Sequence, residues 1–168
     1  MTVTYEGTAE QTRQIMHHHA VLHRGLERRA GTLCEAVDSG LPFELPLTAL
    51  RDYIAGEILP HASAEELTLY RAAATQARGS ELVSALIAEH QALTYLVGRL
   101  QPGADSHDAA TAAERIATLF AGHVAKENDL LLPALAGSGA DLAALLADMR
   151  QPPPSSAPAG QPETYLQP

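Results

Sequence analysis

The sequence predicts an all-α protein: an up-down-up-down antiparallel four-helix bundle with a short C-terminal helix and a flexible Pro-rich tail. Three observations carry this. The 168 residues are rich in Ala and Leu, strong helix formers, whereas aromatic strand formers are scarce, with 2 Phe, 5 Tyr and no Trp. Gly and Pro cluster at only a few places and leave four long stretches between them. Each stretch carries one apolar stripe at helical spacing.

The first stretch, about 9–39, has the stripe Ile15, Leu22, Leu26, Ala30, Leu33, Val37. The run GLPFELP, Gly40 to Pro46, is a loop. The second stretch, about 46–77, carries Leu47, Leu50, Ile54, Ile58, Leu69 and Ala72. Arg78-Gly79-Ser80 forms a turn, with Gly79 ending one helix and Ser80 capping the next. The third stretch, about 80–100, shows Leu82, Leu86, Leu93, Val97 and Leu100. After QPGADSH, where Asp105 or Ser106 is the cap, the fourth runs over about 107–136 with Ile116, Phe120, Leu131 and Ala134. Gly137-Ser138-Gly139 closes it, and a short helix over about 140–150 completes a domain of residues 1–150. Residues 151–168, QPPPSSAPAGQPETYLQP, lack the apolar content to build a core and read as a flexible tail.

Charge and cysteine usage narrow the class. Twenty acidic against 11 basic residues give a formal charge of −9, which argues against nucleic acid or an anionic membrane as partner. The single Cys34 allows no internal disulfide and fits a reducing compartment. The first twelve residues contain no apolar run of a secretory leader, and no stretch reaches membrane-span length. A cytoplasmic location is the expectation.

The stripes are interrupted in a pattern. His19 falls in phase between Ile15 and Leu22, and His90 between Leu86 and Leu93. His61 follows Ile58 by three residues and Glu65 follows His61 by four. His123 follows Phe120 by three and Glu127 follows His123 by four. Taken singly, a His-x-x-x-Glu unit also reads as an exposed i,i+4 pair. Together, four imidazoles and two carboxylates face one interior, where a carboxylate is strongly unfavourable unless paired or metal-bound. Glu65 and His90 lie about 13 and 12 residues from the Arg78-Gly79 turn, so their depths differ by only ~2 Å. Such a donor set without thiolate suits Fe or Mn better than Zn or Cu(I). Each Glu is placed to bridge two metals.

The segments HAVLHRGLERR from His19, ILPHASAEELTLY from Ile58, LIAEHQAL from Leu86 and FAGHVAKENDLLLPAL from Phe120 resemble the four ligand helices of the hemerythrin-like HHE cation-binding family. The order His, His-x-x-x-Glu, His, His-x-x-x-Glu spans about residues 13–136. The resemblance implies His19, His61, Glu65, His90, His123 and Glu127 as ligands to two non-haem Fe ions, with Glu65 and Glu127 bridging and Mn the less expected metal. Oxygen-carrying members place a second His one turn on in the third helix, where this chain has Thr94. They also end the set with Asp at a longer spacing, where this chain has Glu127. The missing His leaves one iron more open and favours sensing, peroxide chemistry or oxygen activation over simple carriage.

Several neighbours stay open at this point. His18 is the alternative to His19, while His17 points away. Glu66, Glu89 or a tyrosine (Tyr53, Tyr70 or Tyr95) could add a ligand, although surface or packing roles account for each. His23 and His107 read as flank and first turn, Cys34 as core, and Lys126 and Asn128 as solvated face. Three functions follow. The first, favoured, is a di-iron protein that binds O2, peroxide or NO, or senses oxygen, NO or iron. The second is a di-iron oxidoreductase that decomposes peroxide or oxidises a small substrate. The third is a helical interaction module. The sequence names no catalytic residue.

Overall fold

A computed structural model of the chain describes residues 5–76 and 79–150, the first two by backbone only. The tail expected over 151–168, and Arg78 of the expected turn, lie outside the described residues. The described residues form helices joined by short loops and contain no strand.

Helix α1, Tyr5–Asp38, is one continuous rod of 34 residues. Gly40 at φ +64° ends it, with Leu41 N–H reaching back to Ala36 O and Gly40 N–H to Val37 O. This left-handed position suits a residue without Cβ. Helix α2 covers 44–74 in four parts: Glu44–Tyr53, a wide π turn over Ile54–Ile58, Leu59–Leu67, and Leu69–Ala74 after a break at Thr68. The helix starts earlier than expected and takes Pro46 into its first turn, where a missing N–H has no partner to lose. Helix α3 is Gly79–Val97, so Gly79 opens this helix. Helix α4 covers 106–137, with a second π turn at Glu127–Leu131. Its cap is Asp105, whose carboxylate accepts from His107 N–H and Asp108 N–H. Helix α5, Leu142–Met149, is capped by Asp141 in the same way.

The two π turns have one cause. Pro60 and Pro133 cannot donate an N–H, and each ring clashes with the carbonyl four residues back. Each helix absorbs this by widening one turn: Leu59 N–H bonds Ile54 O and Leu132 N–H bonds Glu127 O. The extra residue advances the phase of everything after it. Leu132 and Leu135 are buried after the α4 turn, whereas Ala134, expected in the stripe, is exposed. A similar slip after Thr68 buries Ala73, leaving Ala72 only partly covered.

Helix α1 packs on α4 and α2, α3 packs on α4, and α5 lies across α1 and α2. The apolar interior falls into two clusters. One holds Leu22, Leu26, Leu50, Ile58, Leu93 and Phe120. The other holds Ile15, Leu69, Tyr70, Leu86, Leu131 and Leu135. Each buried Leu or Ile contributes about 1.5–3 kcal/mol. The polar residues read from the sequence lie between the clusters.

Candidate metal centre

All six expected residues converge in one buried layer. His19, Glu65, His123 and Glu127 are at most 1% exposed, and His61 and His90 are 8% and 6% exposed. Helix α1 supplies His19, α2 His61 and Glu65, α3 His90, and α4 His123 and Glu127. Two triads, His19–His61–Glu65 and Glu65–His90–His123, each bring their ligand atoms within 4.8 Å of one another. Glu65 belongs to both: Oε1 is 3.1 Å from His19 Nε2 and 3.0 Å from His61 Nε2, and Oε2 is 3.9 Å from His90 Nε2. Glu127 spans the triads from the other side, with Oε2 3.7 Å from His19 Nε2 and Oε1 3.5 Å from His123 Nε2.

The hydrogen-bond pattern around the layer leaves its centre short of protons. His90 Nδ1–H donates to Glu66 Oε1 at 2.7 Å, and His123 Nδ1–H to Glu89 Oε2 at 3.0 Å. A neutral imidazole with its proton on Nδ1 presents a lone pair at Nε2. The two Nε2 atoms nevertheless lie 3.0 Å apart. His19 Nδ1–H donates to Asn128 Oδ1 at 2.8 Å, which turns its Nε2 towards the Glu65 carboxylate. His61 Nε2, Glu65 Oε2 and Glu127 Oε2 are buried with no aligned hydrogen bond; the 3.0 Å approach of His61 to Glu65 lacks the required angle. Opposed lone pairs and orphaned carboxylate oxygens need protons or cations between them. The donor set therefore fits metal ions.

The buried carboxylates act on the imidazoles of the layer. Burial alone would lower the His19 pKa, but the hydrogen bond to Glu65 and the charges of Glu65 and Glu127 outweigh it and raise the value. His123 is raised for the same reason, by Glu127 and Glu89 against burial. Burial opposes ionisation of Glu65, yet His61 and His19 hold its pKa far below the carboxylate range. Burial and the carboxylates of Glu65 and Glu127 push Tyr70 far above the phenol range.

The alternatives resolve as follows. His18 is exposed and meets the His61 ring edge-on at 4.9 Å between centroids; burial and the nearby His61 and His19 lower its pKa. Glu66 and Glu89 sit behind His90 and His123, and Glu89 is also held by Lys126. Lys126 and Asn128, expected on a solvated face, are thus joined to the layer; their helix α4 positions alone did not signal partners on α3 and α1. Tyr70 is 1% exposed and donates to Glu127 Oε1 at 2.6 Å, with its oxygen 3.3 Å from both His90 Nε2 and His123 Nε2. Tyr53 bonds Leu22 O, and Tyr95 is exposed. Thr94 turns its hydroxyl to His90 O. His107 is in the first turn of α4, His23 is on the flank beside Glu27, and Cys34 Sγ contacts Ala110 O at 3.7 Å, away from the layer.

Two cavities reach the layer. One of about 310 Å³ is lined by His61, His18, Pro60 and the α5 residues Leu146 and Met149. Another of about 430 Å³ lies between α2 and α3 beside His90, Glu66 and Thr94. Among the described residues no helix is long and apolar enough to cross a membrane.

Set against known proteins, the chain matches no curated protein and no solved structure. Residues 11–135 match the hemerythrin HHE cation binding domain, a span that contains all six residues of the layer. The chain belongs to the hemerythrin HHE cation-binding domain family.

Proposed function

We propose that this chain is a non-haem di-iron protein that binds O2 or a related small ligand such as peroxide or NO, in oxygen, NO or iron sensing or binding. The observation that supports this best is the sharing of Glu65 by two His-containing triads, with Glu127 spanning them a second time. Two donor triads with common carboxylates suit a pair of hard-to-borderline cations, and imidazole with carboxylate suits Fe first and Mn second. His19 and His61 would hold one ion, His90 and His123 the other, with Glu65 and Glu127 between. Bound iron would supply redox chemistry towards dioxygen or peroxide.

The chain's own residues set the conditions for that chemistry. The apolar clusters above and below exclude water from the layer and strengthen its electrostatics. Tyr70 holds a proton on Glu127 Oε1 and orients that carboxylate. The cavity at His61 gives a small molecule a way in, and Arg150 at its rim, bonded to Gln14, offers a cationic entrance. That cavity also supports the alternative of a di-iron oxidoreductase acting on peroxide or a small substrate. An up-down-up-down domain over 1–150, in the cytoplasm, completes the proposal.

The test is metal analysis of untagged protein, with visible spectra before and after anaerobic reduction and re-exposure to air. About two irons per chain and a ferric band that bleaches and returns are expected. No iron, and none taken up on anaerobic reconstitution, refutes the reading. A stable adduct with O2 separates binding from turnover.

A further inference from the structure

We infer that the two metal positions are inequivalent: the His90–His123 position binds its ion more tightly, because Glu66 and Glu89 act on it as positioning residues. The inference rests on the di-iron reading above and concerns how the chain divides its affinity.

The ligand count gives no reason for a difference, since each position has two imidazoles and shares the same two carboxylates. The groups behind the imidazoles differ. His90 and His123 both donate Nδ1–H to carboxylates, Glu66 at 2.7 Å and Glu89 at 3.0 Å. A carboxylate acceptor fixes the tautomer, aims Nε2 at the metal and makes that nitrogen more basic. Lys126 pins the Glu89 carboxylate, so the orientation of His123 is set by an ion pair as well as by packing. On the other side His19 donates to Asn128, a neutral amide. His61 has no such bond from Nδ1 among the described residues; its ring meets the exposed His18 and lines the open cavity. Its Nε2 is also among the atoms without an aligned partner.

Tyr70 donates to Glu127 and brings its oxygen within 3.3 Å of both Nε2 atoms of the His90–His123 pair. Donors aimed by a carboxylate behind them lose little freedom on binding and favour the ion at that side, whereas among the described residues no acceptor behind His61 aims its ring. Glu66 is 41% exposed, so solvent screens its charge and its effect belongs at the low end of the range for such groups.

The experiment uses the full chain stripped of metal and titrated anaerobically with Fe(II). His61→Ala leaves the His90–His123 position to be measured alone, and His90→Ala leaves the other. The affinity read in His61→Ala should exceed that in His90→Ala. Adding Glu66→Gln or Glu89→Gln should weaken binding about 10-fold or more in the His61→Ala background and leave it unchanged in His90→Ala. Far-UV circular dichroism checks that each variant keeps its helices. Chelator withdrawal from the otherwise unaltered chain gives a reading independent of the alanine variants. One ion should be retained after the other has left, and Glu89→Gln should narrow that difference. Equal affinities at the two positions, or a Gln effect of the same size in both backgrounds, overturns the inference. Failure of the unaltered chain to bind Fe(II) at all overturns the di-iron reading, a different result from two equal ions.

Discussion

Replacing Glu65 by Gln keeps the side-chain volume but removes the charge shared by both triads. Glu65 is fully buried, and its oxygens lie 3.0–3.9 Å from three imidazole nitrogens. At an effective dielectric of about 20, a unit charge pair near 3 Å is worth about 5 kcal/mol, which taken alone predicts a large loss in the metal-free protein. That loss has a ceiling. The Glu65 and Glu127 carboxylates raise the His19 pKa, and without the Glu65 charge the imidazole gives up its proton more readily. What remains is the mismatch of buried polar atoms, about 1–3 kcal/mol. The metal-bound form behaves differently. An ion present at 100 times its dissociation constant stabilises the fold by about 2.7 kcal/mol for each position. For a chain of this size two positions would raise Tm by about 10–20 °C. Glu65 serves both, so Glu65→Gln should remove most of that increment while changing the metal-free Tm much less. Thermal unfolding with Fe(II) under anaerobic conditions, and with excess chelator, measures both terms. A metal-dependent increment in Glu65→Gln equal to that of the parent chain would refute the bridging role.

Other consequences are open to simpler measurements. Leu50→Ala, at a fully buried site, should cost about 2–5 kcal/mol in urea unfolding, whereas Leu45→Ala, at a position 83% exposed, should stay within about 0.5 kcal/mol of the parent. Gly25→Ala would set a Cβ 2.2 Å from Tyr53 Oη and displace it from Leu22 O, with an expected loss of about 1–3 kcal/mol in the same assay. Asp105→Ala removes the α4 cap and should cost about 0.5–2 kcal/mol without changing metal stoichiometry. Burial, and then the carboxylates of Glu114 and Asp38, raise the Cys34 pKa, so less thiolate is present at a given pH. Reaction with a thiol reagent at pH 8 should therefore be slower than for free cysteine, and should approach it only at higher pH.

The sequence carried the helices and the polar layer in the form of phase. His19, His61, Glu65, His90, His123 and Glu127 were legible because each sits where the apolar stripe calls for a hydrophobic residue, a rule that needs only the helical repeat. What failed to show depends on distances between helices. Asn128 and Lys126 look solvated on α4 because their partners, His19 and Glu89, lie on α1 and α3. Tyr70 was one of three tyrosines left open, and Ala73 was out of reach of a regular repeat once Thr68 had broken α2. Ala134 was misplaced by a π turn, for which a signal existed: Pro133 inside a periodic stretch.

The polar layer cuts the hydrophobic interior into two lobes, and this bears on cooperativity. The lobe around Leu69, Leu86, Leu131, Leu135 and Leu142 is the smaller of the two. Between the lobes lie imidazoles and carboxylates where an ordinary bundle has interdigitating methyl groups. Such a seam transmits little stabilisation from one lobe to the other, so each can open on its own. A cation across it would act as a rivet, joining two weakly coupled units into one. Amide exchange in the metal-free state should then show two tiers of protection along single continuous helices, with the smaller lobe in the faster tier.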